Sequence, residues 1–152
     1  MEKTAVKEKL LAAAKTYVEG KIEAIQKSVD DLEAALKLET KCSMGDKYET
    51  GRAMLHLEFE KLAGQMEEFK KLKKTLSQIP SKKLNKTVTF GGVVKTSQAN
   101  YFIAIPAGKL EVNSEEFYAV GANAPVAKAL SNHSAGERVS FNGKAITIKD
   151  VF

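Results

Sequence analysis

The chain has 152 residues, 43% hydrophobic and 28% charged, an ordinary globular composition that excludes a disordered or fibrous polymer. Its single cysteine excludes an internal disulfide and favours a reducing compartment, and no apolar run approaches the ~20 residues that span a bilayer. With no signal-peptide stretch behind Met1, the expectation is a soluble, cytoplasmic protein without membrane contact.

The net charge of +5 is unevenly distributed. Residues 1–78 hold 15 Lys/Arg against 14 Asp/Glu, whereas residues 79–152 hold 9 against 5. A charge-dense, balanced first part and a charge-poor, basic second part predict two modules, 1–78 and 79–152. Helix breakers divide the same way. No proline and only four glycines precede Ser77, while all three prolines and six glycines follow it.

In the first module the apolar period is that of a coiled coil. Val18, Ile22, Ile25, Val29, Leu32 and Leu36 alternate steps of four and three, and Leu11 extends the row backward by seven. Tyr48, Leu55, Leu62, Phe69 and Leu76 recur every seven, with Phe59 and Met66 at the alternate seam position. Gly45 can end a first helix and Asp46 can cap a second, so an antiparallel hairpin with its tip near 42–49 is expected. A homodimer through the same seams is the competing arrangement.

From Pro80 onward the period becomes that of strands. Thr87–Phe90, the bend Gly91-Gly92, and Val93-Val94 read as strand, turn, strand. Tyr101–Ile105 is a strand stopped by Pro106, and Phe117–Val120 is another. Ala124–Leu130 reads as a short helix with Pro125 in its first turn. Arg138–Phe141, Asn142-Gly143 and Ala145–Ile148 form a hairpin. The fold class is α+β: a long helical hairpin, then a curved antiparallel sheet with one helix.

Order and motifs together resemble the bacterial Gre family of transcript-cleavage factors. Gly45-Asp46-Lys47-Tyr48-Glu49 is similar to the family's tip Gly-Asp-x-x-Glu. Val88–Val94 is similar to its opening strand pair, and Ala124–Leu130 with Ala135–Val139 to its Ser-Pro-Ile-x-x-Ala-Leu and Gly-Asp-x-Val. The resemblance implies a second domain like the FK506-binding proteins, though without an aromatic substrate pocket, so isomerase activity is not expected. It implies RNA polymerase as partner, with the hairpin in the polymerase's secondary channel near the RNA 3′ end. It also implies that Asp46 and Glu49 are the catalytic, metal-holding pair, sharing a Mg²⁺ with the polymerase during cleavage of backtracked RNA. The protein is then a monomer that is no enzyme itself but stimulates the polymerase's own activity.

Thr50-Gly51-Arg52-Ala53 replaces the family's usual Asn-Ala-Glu-Tyr. That departure keeps a non-cleaving channel regulator as one alternative, and a coiled-coil adaptor as another. Read from spacing alone, Asp46 and Glu49 are a cap and a first-turn acid that complement the helix dipole. Cys42, His56 and His133 read as isolated, inert residues. Lys70, Lys71, Lys73, Lys74, Lys82, Lys83 and Lys86 read as a solvated helix end or as a contact for RNA or an acidic surface.

Overall fold

The computed structural model describes the backbone of residues 2–41 and 46–152, and the side chains of 3–38 and 51–152. Two long helices lead the chain, α1 (Glu2–Lys41) and α2 (Asp46–Ser77). At 1.5 Å per residue they are about 60 and 48 Å long. A six-stranded sheet follows, made of β1 (Val93–Thr96), β2 (Asn100–Ala104), β3 (Gly108–Val112), β4 (Glu115–Gly121), β5 (Arg138–Phe141) and β6 (Lys144–Val151), with α3 (Pro125–Leu130) between β4 and β5. This is the expected α+β class, a helical hairpin followed by a β domain.

The chain divides into two compact units, one of Val18–Leu72 and one of Met1–Tyr17 with Lys73–Phe152. Secondary structure changes at residue 78, while the second unit also takes in the bases of both helices. In the unit Val18–Leu72, Leu32 and Ala35 of α1 lie beside Glu58 and Leu62 of α2. Such a register requires antiparallel arms. Ile25 is 8% exposed and Val18 is fully buried, while Leu55, Phe59, Leu62, Met66 and Phe69 are half-buried. A seam between only two helices covers one side of each residue, so partial burial is its expected state. At the base of α1 the buried row runs through Lys7, Leu10 and Ala14 instead of the expected Leu11, which is half-buried.

The sheet order is β3-β4-β2-β1-β6-β5. It is mixed and not wholly antiparallel as expected, because β2 and β4 pair in parallel, Tyr101 opposite Tyr118 and Ile103 opposite Val120. The chain reaches that pairing by sending β3 to the outer edge first and returning through a two-residue turn at Asn113 and Ser114, with φ of 53° and 67°. β3 was not expected from the sequence, although Leu110 and Val112 point inward and Lys109 and Glu111 outward.

Thr87–Phe90 is not a strand. Only Thr87 makes a bridge, to Ser134, and Val88 bonds the 132–133 loop through both its N–H and its carbonyl. Gly91, at φ 85°, then turns the chain, and a Cβ at Gly92 would come within 2.9 Å of the Thr89 carbonyl. That pair must be glycine for the chain to enter β1. The Asn142-Gly143 hairpin is as expected, with both residues at positive φ, 53° and 77°.

α3 covers one face of the sheet. Val126, Ala127 and Leu130 pack there with Val94, Ile103, Val139, Ile146 and Ile148. Ala124 precedes the helix in extended geometry and makes no side-chain cap. Pro125 costs nothing in the first turn, since its missing N–H would have no helical partner.

Candidate functional site

Asp46 is the first residue of α2 and Glu49 lies one turn on. Their backbone positions are those of a helix N-terminus, where the dipole favours carboxylates. The expected roles of their side chains, and Cys42 with the rest of the 42–45 tip, lie outside the described residues. Among the described residues there is no group of three or more His, Cys, Asp or Glu placed to hold a metal. Two carboxylates supply two of the roughly six oxygen ligands that Mg²⁺ requires. Two carboxylates by themselves are too few to complete such a shell.

Beyond that turn, Arg52 is half-buried. His56 is exposed, with its ring 6.5 Å from that of Phe59. Leu38, Met54 and Leu57 are each 65% exposed. All three lie off the seven-residue rows of the seam.

The unit Met1–Tyr17 with Lys73–Phe152 carries a different chemistry. Three lysines from the first turns of α1 tie the helix down. Lys3 pairs with Asp150 at 3.0 Å and lies 5.7 Å over the Phe152 ring, and Lys9 donates to Asn113 Oδ1 at 2.9 Å. Lys7 donates to the Lys83 carbonyl at 2.6 Å and is 1% exposed. Burial, and then the charge of Lys83, hold the Lys7 pKa below the usual lysine value. No sequence rule marks Lys7 as buried, because lysine is almost never so.

A cleft of about 400 Å³ lies between Lys3, Lys95, Asn113, Glu115, Asp150 and Phe152. Its charges are already matched, Lys95 to Glu115 at 3.1 Å and Lys3 to Asp150. A smaller groove of about 220 Å³ is lined by Gln98, Tyr101, Phe141, Asn142, Lys144 and Ile146. Tyr101 and Phe141 reach it from β2 and the β5–β6 hairpin, and the Tyr118 ring lies 6.1 Å from that of Tyr101, tilted against it. Burial and the neighbouring Tyr118 raise the Tyr101 pKa.

His133 is not isolated. Its Nδ1 meets Glu137 Oε2 at 2.5 Å, and that hydrogen bond, followed by one from the Ser134 backbone, holds the Glu137 carboxyl below the usual range.

No family model matches the chain, and no curated protein matches it. Among solved structures it is similar to the transcription factor Gfh1, at 14% identity and a TM-score of 0.37, over 91% of this chain and 93% of that one. It is likewise similar to a structure of GreA factor homolog 1 (Gfh1) of Thermus thermophilus, at 15% identity and a TM-score of 0.37, over 92% of this chain and 95% of that one.

Proposed function

We propose that the protein is an RNA polymerase-binding transcription factor that inserts its hairpin into the secondary channel and promotes cleavage of backtracked RNA. One observation carries this reading. Two antiparallel helices of 40 and 32 residues are joined by four residues, and the second begins at Asp46 with Glu49 in its first turn. A long arm ending in two acids suits the delivery of metal ligands into a site that another protein completes. The motifs shared with the Gre family point the same way.

In this reading Asp46 and Glu49 hold part of a Mg²⁺ shell whose other ligands belong to the polymerase, water and RNA phosphate. The ion supplies Lewis acidity and activates water. The β domain docks on the polymerase surface. A non-cleaving regulator is the second reading, and Arg52 favours it, because its positive charge follows Glu49 by three residues, one helical turn, and opposes cation recruitment.

The test is cleavage in a stalled elongation complex with the cognate polymerase, with binding measured in parallel. Asp46→Asn preserves shape and capping while removing charge. It should bind as wild type and lose cleavage by orders of magnitude, each ~1.4 kcal/mol being tenfold in rate. Higher Mg²⁺ should restore part of the loss, and Arg52→Glu should raise activity. A wild type that binds without cleaving favours the regulator instead, and one that does not bind overturns both polymerase readings.

A further inference from the structure

The 42 residues from Phe69 to Leu110 contain nine lysines and no aspartate or glutamate. The sheet neutralises two of them, Lys95 through Glu115 at 3.1 Å and Lys109 through Glu116 at 3.4 Å. Lys74, Lys82, Lys83 and Lys86 make no ion pair among the described residues. Three of these four stand on one loop, residues 80–91, whose ends meet. A Cβ at Gly91 would lie 3.1 Å from Ile79 Cγ2. A loop of this length with touching ends is an Ω-loop, compact and held by its own contacts.

Its interior is anchored at several points. Val88 N–H donates to the His133 carbonyl at 2.9 Å, and Asn132 N–H donates to the Val88 carbonyl at 2.8 Å. The buried Lys7 ammonium holds the Lys83 carbonyl from beneath. The Lys82, Lys83 and Lys86 side chains are left exposed, together with Leu84 at 45% and Phe90 at 41%. The carboxylate nearest in the adjoining 131–137 segment, Glu137, is held by His133. Anchored backbone, uncompensated ammonium groups and an exposed ring therefore occur together on one loop.

We propose that the loop of residues 80–91 binds single-stranded nucleic acid, with Lys82, Lys83 and Lys86 on backbone phosphates and Phe90 under an unstacked base. Lysines that track phosphates beside an aromatic platform are the recurrent chemistry of sequence-tolerant single-strand binding. A duplex keeps its bases stacked and offers the ring nothing, so it should bind less well. An acidic protein surface is the less favoured partner, because protein interfaces deplete lysine and centre on aromatic and apolar groups. Here the ammonium groups outnumber the single ring.

The experiment uses the full chain without polymerase, so its outcome is separate from the reading above. Fluorescence anisotropy would follow binding of a labelled oligouridylate of about a dozen nucleotides across a salt series. With about three phosphates neutralised, log K should fall with log salt at a slope of roughly −2. The triple variant Lys82→Gln, Lys83→Gln, Lys86→Gln should lose at least tenfold in affinity and flatten the slope, while the triple arginine variant should keep both. Phe90→Ala should weaken binding about tenfold at unchanged slope. Unfolding midpoints report that each variant is folded. Absence of wild-type binding at about 50 mM salt would overturn the proposal. So would a triple glutamine variant that binds as wild type, or preferential binding of polyglutamate that depends on the same lysines.

Discussion

Lys7 shows how one residue sets a dependence on solution conditions. Its ammonium is buried on the face of α1 that also carries Leu10 and Ala14, and its acceptor is the Lys83 carbonyl. Because the folded pKa is lowered, the unfolded chain binds the proton more tightly. Stability therefore rises with pH through the window between the folded value and the usual lysine value. It is lost as pH falls through the folded value. Lys7→Met, which keeps most of the volume, should flatten this alkaline slope in denaturant titrations at several pH values. Lys7→Ala should flatten the slope as well and be about 2–5 kcal/mol less stable than Lys7→Met, since it opens a void. An unchanged slope in Lys7→Met would show that another group carries the dependence.

At the scale of elements, seam and turn obey different constraints. Leu10 is fully buried at the base of α1, whereas Leu62 is half-buried between two helices. Leu10→Ala should cost about 2–5 kcal/mol and Leu62→Ala roughly half as much, measured by chemical denaturation. The two hairpin turns differ in chemistry at the same left-handed geometry. Asn142-Gly143 uses a glycine at φ 77°, while Asn113-Ser114 places a serine at φ 67°. Ser114→Gly should therefore stabilise the β3–β4 hairpin by about 1 kcal/mol, and Gly143→Ala should destabilise β5–β6 by about 1–2 kcal/mol. Thermal unfolding of the two variants should shift in opposite directions.

At the scale of the molecule, one compact unit is assembled from the first and last parts of the chain. Leu10, Ala14, Leu76 and Ile79 are buried there, and Lys3, Lys7 and Lys9 each reach residues beyond position 82. A chain in which a short Gly/Ser turn replaces residues 18–72 should accordingly unfold cooperatively in calorimetry. Residues 79–152 alone should unfold at lower temperature, because they lack the helix bases. Equal stability of the two would show that the helix bases contribute nothing. No helix among the described residues is long and apolar enough to cross a membrane.

Much of this was determined by the sequence alone, wherever the signal is local. The seven-residue rows from Val18 to Leu36 and from Leu55 to Leu76 name the helices and their facing sides, since helical periodicity is a property of neighbours. The Asn142-Gly143 turn and the proline-led α3 are legible for the same reason, and so is the placing of Asp46 and Glu49 in one first turn. Tertiary structure decided whatever depends on distant partners. The parallel pairing of β2 with β4, and the loss of Thr87–Phe90 as a strand to bonds with residues 132–134, come from chain crossings that no local pattern encodes. The burial of Lys7 likewise arises only when remote segments pack, its acceptor lying 76 residues away. Periodicity records which face of an element is apolar, and only folding determines what that face meets.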